Sequence, residues 1–213
     1  MIEQSYVPKT VLFAKRTFDI VLATVLLIIV LPLLPIVAVL IKVDSPGPII
    51  FKQLRIGRSH HDHVEMFWMY KFRSMRSDAE ASTGAGWASK KDPRITRFGR
   101  FLRKSRIDEL PQIFNVLRGD MSLIGPRPER PGFYGQLETA IPFYADRTYG
   151  LRPGVTGLAQ VYQGYDESLD DVRSKVSYDH AYALQLGELK SWFAQDVLIA
   201  FRTVGVMVLG RGQ

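Results

Sequence analysis

The sequence predicts an α+β protein that is mostly helical, and three features of its 213 residues support this fold class. Residues 20–41 form an apolar run without a charge, long enough for a membrane helix. Residues 49–56 and Val64–Phe72 are rich in β-branched and aromatic side chains and flank a turn at residues 57–63, so they predict a small β-hairpin. Apolar residues then recur at helical spacing over residues 98–117, which predicts a helical C-terminal part.

Composition and charge narrow the classes of protein. Hydrophobic residues make up 46% and charged residues 23%, which is typical of a globular protein and excludes a disordered, collagen-like or multi-span membrane chain. With 28 basic and 21 acidic side chains the net charge is +7, which favours polyanionic partners such as nucleic acid, acidic lipid headgroups or phosphorylated substrates. The chain has no cysteine, which excludes disulfides and thiolate metal sites and fits a reducing compartment.

The apolar run is predicted to bend inside a membrane. As one straight helix its 22 residues would span about 33 Å, but Pro32 and Pro35 each remove a backbone donor and should kink it. A single span normally leaves one flank poor in basic residues. Here both flanks are basic, which favours a re-entrant helix that returns to the same face over a kinked transmembrane anchor. We therefore divide the chain into an N-terminal arm with this helix, residues 1–43, and one functional unit, residues 44–213.

Glycines and prolines divide the rest of the chain. Residues 76–93 are polar and contain glycines, so they predict a loop. In the helical region that follows, Pro111 is compatible with a helix if a new one begins near Asp108, which leaves Pro111 in the first turn. Further helices are predicted at residues 133–149 and 189–209, and the second of them could pack in the core or lie on the membrane.

The densest cluster of charges leads into Asp108 and Glu109. Arginines recur at every third position from 94 to 106, a spacing that drifts around a helix and does not form one solvated stripe. Asp108 could simply cap a helix N-terminus, with Glu109 in the first turn. Alternatively, the adjacent carboxylates hold a hard divalent ion while one of them acts as nucleophile toward an anionic substrate, whose charge the arginines offset.

Other basic residues stand on turns. Arg127 lies between two prolines, so a stiff turn presents it, either as a phosphate ligand or as an ordinary surface residue. Lys71 closes the hairpin and Arg152 follows the predicted helix at 133–149, and either could be a solvated basic edge. The histidines of residues 60–63 share a turn without a fourth ligand nearby and do not predict a metal site. Walker A and nucleic-acid-binding signatures are absent from the sequence.

Three segments together resemble one known family. They are KFRSM at residues 71–75, a block around IDELPQ that extends over residues 97–129, and RPGVTGLAQV at residues 152–161. With these segments the chain resembles the bacterial sugar transferase family, the monotopic polyprenyl-phosphate phosphoglycosyl transferases, over nearly its whole length from Lys15 onward. The central block is long enough that chance agreement is implausible.

The resemblance implies a Mg²⁺-dependent enzyme that transfers a sugar 1-phosphate from a UDP-sugar to polyprenyl (undecaprenyl) phosphate, releases UMP and begins polysaccharide or glycan assembly. Asp108 matches the family's nucleophile, which carries the phosphosugar between two steps, and Glu109 matches the second carboxylate, expected to hold Mg²⁺ together with Asp108. By position, Arg127 would contact the nucleotide. Lys71 and Arg103 match basic residues around the active site.

Further expectations concern the surroundings of the site. Arg152 is a weaker match to a substrate-binding residue, and Pro32 with Pro35 fits the break in the family's re-entrant helix. The resemblance implies that this helix enters the inner leaflet of the bacterial cytoplasmic membrane, with residues 44–213 as a catalytic domain with interfacial helices on the cytoplasmic face. A homodimer and downstream glycosyltransferases are expected partners, and nucleic acid is not. The N-terminal membrane spans of larger members are expected to be missing.

Two alternatives stay open at the level of sequence. In a direct, one-step transfer, Asp108 would only bind metal. In a membrane-anchored basic module, nucleic acid or acidic lipids would bind without catalysis, although two carboxylates among the arginines argue against simple anion binding. Replacing Asp108 by Asn should abolish turnover in an enzyme, whereas it should leave or strengthen polyanion binding in such a module.

Overall fold

The computed structural model describes residues 6–77, 92–163 and 169–208. Helices dominate this part of the chain, accompanied by an antiparallel hairpin and a parallel pair of strands, so the predicted mostly helical α+β class is confirmed. In chain order the elements are α1 (Lys9–Val30), α2 (Leu33–Asp44), β1 (Ile50–Ser59), β2 (Val64–Phe72), α3 (Arg97–Lys104), a 3₁₀ turn (Ile107–Glu109), α4 (Gln112–Arg118), β3 (Ser122–Ile124), α5 (Pro131–Ala140), a second 3₁₀ turn (Ala145–Thr148), β4 (Gly154–Thr156), α6 (Leu158–Tyr162), α7 (Leu169–Gln185) and α8 (Leu189–Val208).

The N-terminal apolar run forms two helices that are bent by 62° at a short break. Pro32 is the N-cap residue of α2, and Pro35 lies in the first turn of α2, where backbone amides have no partner within the helix. The predicted kink at the two prolines is therefore confirmed. Within the described ranges, no single helix is both long and apolar enough to cross a bilayer, although the bent pair together meets that length and composition.

One side of α1 packs against the rest of the chain. The residues buried along it recur at every fourth position and are Val11, Lys15, Asp19 and Ala23. The other side of α1 and α2 is apolar and exposed, and its large residues include Val21, Val25, Ile28, Ile29, Leu31, Ile36, Val39 and Val43. The bent pair thus has a packed inner face and an apolar outer face.

The predicted β-hairpin is confirmed and is longer than expected. β1 pairs with β2 from Ile50 opposite Phe72 to Ile56 opposite Met66, and after an irregularity it continues to Ser59. The turn therefore shrinks to residues 60–63. Most of the loop predicted over residues 76–93, namely residues 78–91, lies outside the described residues.

The arginine-rich segment is divided between α3, the first 3₁₀ turn and α4. Arg106 has a left-handed backbone conformation with φ of 59°, which ends α3 and redirects the chain. The expectation that a helix begins near Asp108 is met only by the 3₁₀ turn at Ile107–Glu109, and the α-helix α4 begins later, at Gln112. Pro111 is the N-cap residue of α4, so it lies at the helix start, where its missing N–H removes no hydrogen bond from the helix.

The helix predicted over residues 133–149 is also interrupted. α5 ends at Ala140 and only a 3₁₀ turn follows at Ala145–Thr148. Pro142 lies between the two, and Phe143 has a positive φ of 61°, so a continuous helix cannot pass this point. The prediction of one helix relied on the spacing of apolar residues, which continues past Pro142, and it overlooked this proline.

A short parallel pair of strands, β3 and β4, was not predicted. Ser122 pairs with Gly154 and Ile124 with Thr156. The backbones of the two paired segments approach so closely that a Cβ atom on Gly154 would lie 2.1 Å from the backbone nitrogen of Gly125. Strands of three residues are too short to show an alternating pattern, so only the glycines mark this approach.

The C-terminal helix α8 has one buried and one exposed apolar side, and the residue 209 predicted to end it lies outside the described residues. Trp192 and Ile199 belong to a core cluster with Val11 of α1. Phe193 and Phe201 are exposed. The expectation that this helix packs in the core is therefore confirmed, and its position on a membrane stays a prediction.

Candidate active site

Glu109 is the centre of a cluster of positive charges. Its Oε1 accepts a hydrogen bond of 2.7 Å from Lys71 Nζ and one of 3.1 Å from Arg127 Nη2, and Arg106 Nη1 lies 3.8 Å away. Although burial acts to raise the pKa of Glu109, these three cations hold it well below its usual value. Glu109 is therefore ionised, and it gathers three cations around a single oxygen.

Lys71 reaches this cluster from the end of β2. Burial lowers the pKa of Lys71, and the neighbouring Glu109 opposes this effect. Asn115 of α4 fixes the strand, because its Oδ1 accepts a hydrogen bond of 3.0 Å from the Tyr70 N–H and its Nδ2 donates one of 2.8 Å to Trp68 O. Since α4 follows Glu109 closely along the chain, this clamp sets the strand of Lys71 against the segment that carries Glu109.

Asp108 is buried beside this cluster and keeps one oxygen without a partner. Its side chain Oδ1 is inaccessible to solvent and makes no hydrogen bond within the described part of the chain. Burial raises the pKa of Asp108 to about 6; the negative charge of Glu109 adds to this rise, while Lys71 and Arg103 oppose it. A buried acceptor without a donor is uncommon in folded proteins. Asp108 thus holds a buried acceptor that no donor in the described part of the chain satisfies, and an electrophilic or cationic group would satisfy it.

Arg127 is presented by a turn that two other arginines hold. Arg147 Nη2 donates a hydrogen bond of 2.8 Å to Arg127 O, and Arg147 Nη1 donates one of 2.8 Å to Asp179 of α7. Arg55 Nη1 donates a hydrogen bond of 3.0 Å to Pro128 O. The main chain on both sides of the turn is therefore fixed, so that the Arg127 side chain can point toward Glu109.

Local sequence patterns do not mark these two supporting arginines. Arg147 stands in a segment predicted as helix, and its ion-pair partner Asp179 follows 32 residues later. Arg55 stands in the segment predicted as the first strand of the hairpin, and burial lowers its pKa to about 10. No local pattern reveals either role, because each depends on a contact between segments far apart in the sequence.

The remaining candidates from the sequence fall in different places. Arg103 is half-buried in α3, and its charge acts on Asp108, as expected for a residue around the site. Arg152 does not contact the carboxylate cluster in the described structure. Its Nε donates a hydrogen bond of 2.8 Å to Gly119 O, at the end of α4. A role for Arg152 in substrate binding stays a prediction.

The donors of the site are compatible with a hard divalent cation. Asp108 and Glu109 supply carboxylate oxygens, and one oxygen of Asp108 lacks any partner. Among the described residues, no group of three or more His, Cys, Asp or Glu side chains could enclose a metal ion. This combination suits Mg²⁺, which is commonly held by one or two carboxylates together with phosphate oxygens of a substrate.

Known proteins of one family resemble this chain over most of its length. A family model described as bacterial sugar transferase matches residues 10–210. A UDP-N-acetylgalactosamine-undecaprenyl-phosphate N-acetylgalactosaminephosphotransferase of Aeromonas hydrophila is 46% identical over 200 residues, which are 94% of this chain and 45% of that protein. A UDP-glucose:undecaprenyl-phosphate glucose-1-phosphate transferase of Xanthomonas campestris pv. campestris is 44% identical over 171 residues, 79% of this chain and 34% of that protein. The exopolysaccharide production protein PSS of Rhizobium leguminosarum bv. phaseoli is 42% identical over 207 residues, 95% of this chain and 98% of that protein.

The extent of these matches decides what they establish. The chain spans less than half the length of the Aeromonas and Xanthomonas proteins and nearly all of the Rhizobium protein. The family match includes Asp108, Glu109 and every basic residue described around them. It also confirms the resemblance carried by the three sequence segments. The chain belongs to the bacterial sugar transferase family.

Proposed function

We propose that this chain transfers a sugar 1-phosphate from a UDP-sugar to undecaprenyl phosphate or a similar polyprenyl phosphate, as the first step of polysaccharide assembly. The main support is the arrangement of the two carboxylates. Glu109 gathers three cations around one oxygen, and the adjacent Asp108 is buried with an unpartnered oxygen. The names of the related proteins include both N-acetylgalactosamine and glucose, so the proposed donor is a class, UDP-hexoses and their N-acetylated relatives.

The cations around Glu109 would bind the diphosphate of the donor. Guanidinium groups match phosphate oxygens with two parallel hydrogen bonds, and an ammonium group adds a compact charge. Before the donor binds, Glu109 keeps Lys71 and Arg127 in place and prevents their repulsion. The cost of ordering these side chains is then largely met before the substrate arrives.

Asp108 would act as the nucleophile. A carboxylate oxygen of Asp108 attacks the β-phosphorus of the donor, and the bond from this phosphorus to the oxygen that bridges the two phosphates breaks. UMP leaves with that oxygen, and the phosphosugar remains joined to the aspartyl side chain. A carboxylate that is buried without a full set of donors is poorly solvated, which favours attack.

The acceptor would complete the cycle at the same phosphorus. An oxygen of the polyprenyl phosphate attacks it, the bond to Asp108 breaks, and the carboxylate is restored. Two successive displacements suit substrates that come from different phases, because the donor arrives from water and the acceptor from lipid. When bound by Asp108 and Glu109, Mg²⁺ would neutralise charge on the phosphate oxygens.

The membrane arrangement is part of the same proposal. We infer that α1 and α2 form a re-entrant helix in the inner leaflet of the cytoplasmic membrane, with the site on the cytoplasmic face. The 62° bend, the apolar outer face and the basic residues on both flanks support this. The outward-facing Phe193 and Phe201 of α8 support an interfacial position for that helix.

The covalent step can be tested without acceptor. Purified full-length chain is mixed with a panel of UDP-sugars and Mg²⁺ in the absence of polyprenyl phosphate. We expect UMP to be released in an amount equal to the enzyme, and the peptide that contains Asp108 to gain the mass of a hexose phosphate. Asp108→Asn should show neither signal. Asp146→Asn removes an exposed carboxylate outside the site and serves as the matched control.

The outcomes separate the alternatives. If UMP appears only when acceptor is added and Asp108 gains no mass, the transfer is direct and the covalent proposal is wrong. If no UDP-sugar gives product even with acceptor, while Asp108→Asn binds polyanions as well as the original chain, the protein is a binding module and not a transferase.

The topology can be tested with single cysteines, since the natural chain has none. Lys9→Cys and Val43→Cys mark the two ends of the bent pair, and Val43 is 80% exposed. In inverted membrane vesicles both should react with a membrane-impermeant maleimide, as should Asp146→Cys in the catalytic part. Labelling of the two ends from opposite faces would establish a transmembrane anchor and contradict the re-entrant arrangement.

A further inference from the structure

A second basic cluster lies away from the carboxylate site, around a small cavity at the base of α1. We define it as Arg16, Arg58 and Arg152, which come from α1, from β1 and from the segment before β4. The residues that line the cavity are Leu12, Lys15, Arg16, Asp19, Arg58, Ser122, Gly150, Leu151, Arg152, Tyr182 and Leu186. Arg16, Arg58 and Arg152 thus all line one small, partly open cavity.

The three arginines differ in how far their donors are used. Arg16 Nη1 donates to Val116 O at 2.6 Å and Nη2 donates to Leu117 O at 2.9 Å. Arg152 donates from Nε to Gly119 O at 2.8 Å, which leaves both of its terminal nitrogens without a hydrogen bond in the described structure.

Arg58 has no hydrogen bond or ion pair to any residue that the structure describes, and its Nε is buried without an acceptor. Leaving a buried charged donor unsatisfied is unfavourable, because the lost hydration is not replaced. A ligand that supplies acceptor oxygens would remove this penalty. Among the described residues, the buried donor of the cluster without an acceptor is therefore Arg58 Nε, and the terminal nitrogens of Arg152 are not used in hydrogen bonds to the protein.

One carboxylate, Asp19, also lines the cavity. Its Oδ1 accepts hydrogen bonds from Ser122 Oγ and the Leu123 N–H, both at 3.0 Å. Lys15, the fourth cation at the cavity, is paired with Asp196 at 2.7 Å.

Positive charge also predominates around Arg152. Burial lowers the pKa of Arg152, and the charges of Arg58 and Arg16 lower it further. Asp19 and Glu65 oppose the shift to a smaller extent. Repulsion among the three arginines is thus not fully balanced by the protein.

We propose that this cavity binds a phosphate group between Arg58 and Arg152, either as the headgroup of an anionic lipid or as free phosphate. Tetrahedral oxyanions match the paired N–H groups of guanidinium, which here come from two different segments. Arg16 lies one turn before the charge-free apolar run begins, so a lipid phosphate at the membrane surface can reach the same level. The site is separate from the carboxylate cluster and does not depend on the proposed transferase activity.

A purely structural role for Arg58 makes a different prediction. An arginine that stabilises the fold through its own contacts would destabilise the protein when removed. Arg58 makes no such hydrogen bond, so replacing it with Gln should leave the thermal midpoint in phosphate-free buffer unchanged or higher, since repulsion with Arg152 is relieved. The benefit of Arg58 should appear only when an anion is present.

Thermal unfolding of the full chain in maltoside detergent tests the site. Sodium phosphate is compared with sodium chloride at matched ionic strength for the original chain, Arg58→Gln, Arg58→Lys and the control Arg173→Gln, which removes an exposed arginine of α7. At ~10 times its dissociation constant, phosphate should raise the midpoint by about 3–6 °C in the original chain and in Arg173→Gln. Arg58→Gln should lose this shift, and Arg58→Lys should recover part of it.

Added phosphatidylglycerol distinguishes the source of the phosphate. If this lipid raises the midpoint in an Arg58-dependent way and removes the further effect of sodium phosphate, the site takes a lipid headgroup. If it has no such effect while sodium phosphate does, the site takes free phosphate. If neither probe produces a shift that depends on Arg58, the proposal is wrong.

Discussion

The carboxylate site and the second basic cluster are both built from arginines around buried space, yet their charges are balanced differently. At the carboxylate site Glu109 lies among the cations, and the buried side-chain atoms without a hydrogen bond in the described part of the chain include an acceptor, Asp108 Oδ1, as well as a donor, Arg55 Nε. At the second basic cluster the described structure shows a buried donor without a hydrogen bond, Arg58 Nε, while Asp19 Oδ1 accepts from Ser122 and Leu123. The number of arginines therefore does not indicate the ligand: the first site offers a buried acceptor to an electrophile or cation, whereas the second offers a buried donor to an anion.

The two sites lie at opposite ends of one short helix. Glu109 lies just before α4, and Arg16 and Arg152 bind carbonyl groups at the end of α4. The last carbonyl groups of a helix have no partner within it and carry partial negative charge, so cations stabilise that end. A substitution at one site can therefore affect the other, and the two effects are distinguished by measuring both turnover and thermal stability.

The largest expected effect comes from Asp108→Asn. Loss of the nucleophile should reduce turnover by on the order of 10³-fold or more, because the remaining groups only bind and orient the substrates. Since a buried carboxylate with an unpartnered oxygen is unfavourable, the variant should unfold at the same or a higher temperature. Steady-state transfer of labelled sugar measures the turnover of the variant, and thermal unfolding measures its stability. A variant that is both active and less stable would mean that Asp108 has a structural role.

Removal of Mg²⁺ should strongly reduce activity at the carboxylate site and leave phosphate binding at the second basic cluster unchanged. With EDTA present, UMP release at the carboxylate site should fall by roughly two orders of magnitude or more, and added Mg²⁺ should restore it. The phosphate-dependent shift at the second basic cluster should be unchanged, since guanidinium groups need no metal to bind phosphate. Undiminished UMP release after exhaustive chelation would contradict the assignment of Asp108 and Glu109 as ligands.

The helices and the hairpin were predictable from local patterns, and the failures have identifiable causes. Charge-free length and two prolines predicted the bent pair, and β-branched and aromatic residues on both sides of a turn predicted the hairpin. The start of the helix near Pro111 was misplaced and the break at Pro142 was missed, because apolar periodicity continues through both prolines. The pairing of β3 with β4 depends on close contact at Gly125 and Gly154. Strands of three residues are too short for a sequence pattern to predict this pairing.

The residues of the candidate site also divide into those that local sequence patterns predicted and those that they did not. Asp108, Glu109 and Arg127 were found because they stand in continuous motifs, and Lys71 proved to contact the same oxygen of Glu109. Arg147 was missed because its role comes from a contact with the main chain of a distant turn. Motifs thus reveal the central residues of the candidate site, whereas the residues that hold them depend on the packing of separate elements.

A smaller effect is expected at Arg147, which would act as a positioning residue for Arg127. Arg147→Gln alone would leave Asp179 buried and unpaired, so we combine it with Asp179→Asn. The double variant should raise the KM for UDP-sugar about tenfold, a loss of about 1.4 kcal/mol of binding, and change kcat by less than about threefold. Asp179→Asn alone is the control for the second substitution: it keeps Arg147 and its hydrogen bond to Arg127 O, and because it leaves the buried Arg147 charge unpaired, its loss of stability is measured beside that of the double variant.

The outcome at Arg147 is read from the two kinetic constants. If the double variant lowers kcat and leaves KM unchanged, the turn does not act through donor binding. If it changes neither constant while lowering stability, Arg147 only supports the fold.

The smallest expected effect compares Arg152→Gln with Arg58→Gln. Arg152 binds the end of α4 and Arg58 binds no described residue, so only the first variant loses a hydrogen bond. A hydrogen bond from a charged group contributes about 1.5–3 kcal/mol, and relief of repulsion within the cluster should offset part of this loss. Arg152→Gln should thus lower the free energy of unfolding by about 1 kcal/mol, or about 2–4 °C in the midpoint, while Arg58→Gln does not lower it. Turnover should stay within about threefold in both, because neither side chain contacts the carboxylate site. A loss of turnover by Arg152→Gln at unchanged stability would instead support the substrate-binding role that the sequence suggested, and it would join the two sites into one.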